Sequence, residues 1–145
     1  MHHVERKLLP YTPEQLFDLV ADVERYPEFL PWCVAARIKK REGDVLLAEL
    51  VIGFKMIRES FTSRAVFARP DRIDIEYLSG PLKHLRNNWR FLPVAGGGSE
   101  IDFFIDFEFR SRLMRGLMEA VFHEALRVGD QRAEALVDHD ALRLL

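Results

Sequence analysis

"SEIDFFIDFEFRSRLMRGLMEAVFHEAL", residues 99–126, changes period in the middle. Up to Phe109 the chain alternates: Ile101, Phe103, Ile105, Phe107 and Phe109 fall on one side, and Asp102, Asp106 and Glu108 on the other. Phe104 is the exception on the polar side. Successive side chains of a strand point to opposite faces, so this is a strand with one buried aromatic face. After Ser111, a plausible N-cap, the apolar positions switch to helical spacing, and no proline interrupts them to about residue 141. Met114, Leu117, Met118, Val121, Phe122, Ala125, Val128, Gly129, Leu136 and Val137 make a slowly drifting stripe. Thirty residues at 1.5 Å rise span about 45 Å, against about 30 Å for a nine-residue strand. A helix of that length can cross an entire sheet.

The segments upstream supply the sheet. Residues 34–42, 45–53, 56–68, 72–78 and 82–93 are short and rich in β-branched and aromatic side chains. Turn signals separate them at Glu42-Gly43-Asp44, around Gly53 and at Arg69-Pro70-Asp71. "AGGGS" (95–99) joins the last two strands as a flexible hairpin. Near the N-terminus, "HVERKLL" (3–9) reads as a first strand stopped by Pro10. Thr12 then caps a helix that has Pro13 at its first position and Leu16, Phe17, Leu19 and Val20 on its apolar side. In "DVERYPEFLPW" (22–32), Pro27 and Pro31 each remove an amide donor, which predicts a second short helix ending near Tyr26 and then a rigid loop.

The element order implies an α+β domain: one strand, two short helices, about six more strands and a long amphipathic helix. A sheet with an aromatic inner face must cover it, and that helix is the only element large enough. The expected arrangement is an antiparallel sheet curled around the helix. Where a curved sheet diverges from a straight helix a cavity forms, with the short helices and residues 22–32 as covers.

Bulk properties fit one soluble domain spanning 1–145. At 145 residues, folding buries roughly 70% of the unfolded surface. A net charge of −2 provides no global basic field for nucleic acid, and DNA is not an expected partner. Cys33 stands alone, which excludes an internal disulfide and an all-Cys zinc site and suits a reducing cytoplasm; its expected role is a small buried hydrophobe. No uncharged apolar run approaches the ~20 residues of a membrane span, so the reading is of a soluble or peripheral protein. The five histidines are scattered and no two stand at metal-ligand spacing, so no metal site is expected.

"PYTPEQLFDLVADVERYPEFLPWC" (10–33), "ESFTSR" (59–64), "GPLKHLRNNWRFLP" (80–93) and "IDFFIDFEFRSRLM" (101–114) together resemble the coenzyme Q-binding branch of the START-like superfamily. That branch includes mitochondrial coenzyme Q-binding proteins and bacterial RatA-type ribosome-association toxins, and is often labelled polyketide cyclase/dehydrase. The resemblance implies a helix-grip fold: a seven-stranded antiparallel sheet curled around a long C-terminal helix, with two short helices after strand one. It also implies a ligand, ubiquinone or a related polyprenyl lipid, carried in support of respiration with no required cofactor. The alternative it implies is binding to the large ribosomal subunit, blocking subunit association. The chain departs from the family pattern at Leu82, at Asn87-Asn88 where a glycine pair is usual, and in "RVGDQRAEALV" (127–137).

On this reading the ligand-binding candidates are Phe29, Leu30, Trp32, Phe61, Lys83, Trp89, Phe91, Phe103, Phe107, Met114, Leu117, Met118 and Val121. Phe29, Leu30 and Trp32 offer apolar surface to the cavity or to a membrane, consistent with a cytoplasmic protein in peripheral contact with the inner membrane. Trp89 and Phe91 share a face with Leu85 and either line the pocket or belong to the core. Met114 and Met118 fill the core or adapt to a flexible tail. Lys83, near its strand's start, is placed at the cavity mouth as a donor to a quinone carbonyl. His84, Arg86 and Arg90 form an outward basic stripe, either solvated or in contact with RNA or anionic head groups. Catalysis would require a convergent acid/base pair in the cavity, and Glu59 is the best interior acid the sequence offers. A non-catalytic protein is therefore expected.

Overall fold

The computed structural model describes residues 2–29, 33–54 and 56–112. They form one antiparallel sheet of seven strands: β1 (His2–Leu9), β2 (Cys33–Glu42), β3 (Val45–Phe54), β4 (Ile57–Ala68), β5 (Arg72–Ser79), β6 (Leu82–Pro93) and β7 (Ser99–Phe109). The strand order is β1-β7-β6-β5-β4-β3-β2. Six of the strands form a meander of hairpins, and β1 pairs with β7, so the first strand closes onto the last. The expected C-terminal helix lies outside the described residues.

β1 and β2 are consecutive in sequence yet occupy opposite edges, so the chain between them must cross the sheet on one of its faces. The crossing is made by α1 (Pro13–Ala21), a 3-10 turn (Val23–Arg25) and α2 (Tyr26–Phe29). α1 packs on β5 and β6, and the turn and α2 pack on β2. α1 begins with a reciprocal cap. Gln15 N donates to Thr12 Oγ1 (3.2 Å) and Thr12 N donates to Gln15 Oε1 (2.9 Å), with Pro13 at the first helical position where it wastes no hydrogen bond. Leu16, Phe17 and Val20 go inward. The Phe17 ring meets Phe67 and Phe91 edge-on, each at 5.9 Å. Outside, Arg69 in the β4–β5 turn makes a two-pronged contact with Asp18 on α1, at 2.8 and 3.0 Å.

The second helix differs from expectation: α2 runs through Pro27 to Phe29 rather than ending near Tyr26. Pro27 is its second residue, where the backbone N–H has no intrahelical acceptor, so the ring removes nothing the helix uses. Tyr26 is buried and its hydroxyl donates to Val20 O, tying α2 back to α1.

Register breaks at Val34 and Lys39, at Leu78 opposite Thr62 and Ser63, and at Lys83 put bulges into β2, β5 and β6. Each bulge bends its strand and increases local twist, the way a wide sheet acquires a concave face. At the far end, Ser99 is fully buried and its Oγ donates to Tyr11 O at 2.6 Å. The neighbouring Gly98 has φ +86, and a Cβ there would stand 2.6 Å from Leu9 O. Gly98→Ala therefore combines a disfavoured backbone with a backbone clash. The expected loss is about 2 kcal/mol, read as a lower urea midpoint with an unchanged slope.

Candidate functional site

The inner face of the sheet can be read row by row from the strand register. Ile75, Asn87, Ile105 and His3 lie side by side across β5, β6, β7 and β1. Ile73, Trp89, Phe103 and Glu5 form the next row, and Phe91, Ile101 and Lys7 the one after. On the other side of the first row stand Leu85 and Phe107, then Leu82 and Phe109. The aromatic face expected of residues 101–109 is thus continuous with Trp89 and Phe91, as the alternation of β6 requires.

Burial divides this face. Leu16, Phe17, Val20 and Val23 of the crossing helices pack with Leu46, Leu50, Phe61, Ile73 and Phe91 into the main core. Leu82, Ile105, Phe107 and Phe109 are also buried but stand apart from that cluster. Trp89, Phe103, Ile75, Tyr77 and Leu85 are only half-buried. Trp89 stacks on Phe91 (centroids 6.3 Å apart, planes 12° off parallel) and meets Phe103 edge-on at 4.6 Å. Phe61 lies against Tyr77 at 6.4 Å. A half-buried strip of aromatic and aliphatic side chains on a sheet's inner face is a wall with unused contact area, which suits a flat or apolar ligand.

The structure brings Phe61, Trp89, Phe91, Phe103 and Phe107 onto this one face, with Phe91 and Phe107 sealed and Trp89 and Phe103 half-open. Phe29 closes α2, and its side chain lies outside the described residues, as do Leu30, Trp32, Met114, Leu117, Met118 and Val121. Lys83 is corrected. The bulge after Leu82 turns Lys83 and His84 outward together, and Lys83 Nζ sits 3.6 Å from Glu108 Oε1 on the convex side. The bulge adds a residue to β6, which reverses the facing that simple alternation assigns to Lys83. It is therefore away from the aromatic wall and no donor to a ligand there.

His84, Arg86 and Arg90 do face outward, but among acids. His84 lies 3.5 Å from Asp106, while Arg64–Glu76 (2.6 Å), Arg37–Glu49 (3.2 Å) and Arg72–Asp74 (3.5 Å) pair elsewhere on the same face. Glu59 is in register with Ile52 and so has inner-face parity, yet it is exposed. The half-buried acid of the inner face is instead Glu5 on β1, with His3 Nε2 at 3.4 Å. His3 and Glu5 escaped the sequence reading, and Asn87 entered it only as a departure from the family pattern, not as an inner-face residue. Counting back two from Trp89 puts Asn87 inside, but asparagine is read as a surface or turn residue.

Cys33 is buried, as expected of a small hydrophobe, and its thiol donates weakly to Ala35 O (3.5 Å). Burial pushes the thiol up to about 11, against a smaller lowering effect from the Ala35 backbone. Burial likewise raises the Tyr26 phenol well above its ordinary value, helped by the proximity of Cys33 and Asp22. Both groups prefer their protons in the folded state. Above the unfolded thiol's pKa near 9.0 the unfolded chain binds fewer protons than the native one, so stability falls with rising pH until about 11. Urea midpoints taken from pH 8 to 11 are expected to fall over that window, and Cys33→Ala should flatten part of the slope. An identical slope in the variant would remove the thiol from the account.

Residues 9–132 match the family described as polyketide cyclase / dehydrase and lipid transport. The chain belongs to that family. A ribosome association toxin RatA of Rickettsia prowazekii is 41% identical over 120 residues, covering 80% of this chain and 82% of its own length. The mitochondrial coenzyme Q-binding protein COQ10 homolog B of Xenopus laevis is 32% identical over 131 residues, covering 88% of this chain but 54% of its own length. Neither name is that of an enzyme, although the family description includes cyclases and dehydrases. Among solved structures, an 18 kDa protein from Caulobacter crescentus is 38% identical with a TM-score of 0.71, covering 94% of this chain and 97% of its own. A Thermus thermophilus protein matches the fold at a TM-score of 0.83, covering 97% and 99%, at 18% identity. A START superfamily protein from Mycobacterium smegmatis matches at 0.80, covering 95% and 97%, at 15% identity. The fold of this polyketide cyclase / dehydrase and lipid transport family member is thus START-like, and the half-buried strip lies on the sheet's inner face.

Proposed function

We propose that the protein is a non-catalytic carrier that binds ubiquinone or a related polyprenyl lipid against the inner face of its sheet, in support of respiration. The observation that carries the reading is the half-buried strip of Trp89, Phe103, Ile75 and Tyr77 on an otherwise sealed aromatic face. Flat rings gain from stacking on aromatic side chains, and a polyprenyl tail gains from any apolar wall. The similarity to a protein named for coenzyme Q binding supports it. Leu30, Trp32, Met114, Leu117, Met118 and Val121 enter this proposal from the sequence alone. Among the described residues no helix is long and apolar enough to cross a membrane.

The test is lipid extraction and native mass spectrometry of protein purified from a quinone-producing host. A polyprenyl quinone bound near one per chain is the expected result. Protein that carries none, and takes up none from quinone-loaded vesicles, would overturn the reading.

A second reading is association with the large ribosomal subunit, favoured by the 41% identity to a protein named a ribosome association toxin. Overexpression would then increase free subunits in sucrose gradients at the expense of intact ribosomes. An unchanged gradient profile would remove this reading and leave the lipid reading untouched.

A further inference from the structure

Asn87 is the unexpected residue of the inner face. It lies in β6 between Leu85 and Trp89, with Ile75 and Ile105 as its cross-strand neighbours, and is 8% exposed. A carboxamide set among isoleucines loses hydration that apolar neighbours do not replace, so each of its polar atoms needs a partner. Its orientation is fixed by chemistry. An indole N–H only donates and a backbone carbonyl only accepts, so Oδ1 must face Trp89 Nε1 (3.0 Å) and Nδ2 must face Phe104 O (2.8 Å). The Phe104 carbonyl takes one of the two amide hydrogens. The second has no acceptor among the described residues.

We propose that Asn87 is the polar anchor of the binding strip: its spare N–H donates to a carbonyl oxygen on the ring of a flat ligand lying along Trp89 and Phe103. This rests on the lipid-binding reading and adds to it a residue and a required ligand feature, a ring-borne carbonyl acceptor. The bond from Trp89 gives Asn87 a second part, because it holds the indole in one orientation beside Phe103. Ring contact and hydrogen bond are then fixed by the same side chain, anchored in turn to the β7 backbone. Both parts follow from a donor set in the middle of the sheet among Leu85, Trp89, Ile75 and Ile105, with the polar His3 and Glu5 out on the edge strand β1.

The experiment compares two small ligands by isothermal titration: ubiquinone carrying a single isoprene unit, and prenylbenzene, which has the tail and a ring but no carbonyl. Asn87→Leu keeps size and removes every polar atom, whereas Asn87→Asp keeps an oxygen acceptor for Trp89 and removes both N–H donors. The expected result for Asn87→Asp is a roughly five- to tenfold weaker affinity for the quinone with prenylbenzene changed less than twofold, whereas Asn87→Leu, which also frees the indole, should weaken both ligands and the quinone by roughly five- to tenfold more than prenylbenzene. Equal losses for the two ligands, or no loss for the quinone, would overturn the anchor while leaving the carrier reading intact. Wild-type protein that binds neither ligand would overturn both. Should Asn87→Leu fail to fold, Asn87→Asp decides through the ratio between the two ligands, since its shape and its contact with Trp89 are retained and the lost contact with Phe104 O affects both ligands alike.

Discussion

Phe91→Ala is expected to lower the stability of the domain by about 4 kcal/mol. Phe91 is 1% exposed, stacks on Trp89, and receives the edge of the Phe17 ring from α1. Truncation deletes most of a large side chain and leaves a void that the sheet on one side and a capped helix on the other cannot close, so the transfer and cavity costs add. For a domain of this size such a loss is a large fraction of a total of about 5–15 kcal/mol. The adjacent residue provides the internal control. Leu92 is 41% exposed on the opposite face, and Leu92→Ala should change stability by no more than about 0.5 kcal/mol. Urea unfolding of both variants checks the pair. Equal costs would mean that β6 does not alternate as its register with β7 requires.

That alternation was the part most legible in the sequence. In residues 101–109 the acids and aromatics sort by parity except at Phe104, and the register with β6 gives β7 that facing. β6 was legible from Leu85 to Phe91 for the same reason. The reading failed where a local irregularity breaks the period. Lys83 stands at a bulge, and a single extra residue in the strand reverses the facing of everything before it. Bulges follow from the fit of one strand to its neighbours, so no window along one strand announces them. Pro27 misled differently: proline breaks a helix in its interior but not within its first turn, and only the position of the 3-10 turn before Tyr26 shows which case applies. Asn87 stood out only as a departure from the family pattern, and its place on the inner face was missed because its polarity outweighs its parity in any reading of composition. Its partners, Trp89 Nε1 and Phe104 O, become visible only once two strands are in register.

Trp89→Leu is expected to weaken polyprenyl quinone binding more than tenfold, with a stability cost of only about 1–2 kcal/mol. The contrast with Phe91 follows from exposure: Trp89 is half-buried, so part of its ring area is not used by the protein itself. Losing an aromatic face costs the ligand the stacking preference of about 0.5–1.5 kcal/mol and, in addition, the apolar area that leucine fails to supply. Together these are about 2 kcal/mol, or roughly thirtyfold in affinity. Trp89→Phe keeps a ring but removes the donor to Asn87, and should fall between wild type and Trp89→Leu, because the ring is present but no longer held. Phe107→Leu is the counterpart: at 1% exposure its ring has no free face, so it should lose stability and keep its affinity. These three variants separate lining from core along one sheet face. If Trp89→Leu lost stability like a sealed residue while its quinone affinity stayed at the wild-type value, Trp89 would belong to the core and the strip would be packing alone. A split between affinity at Trp89 and stability at Phe107 is the signature of a wall that a ligand completes.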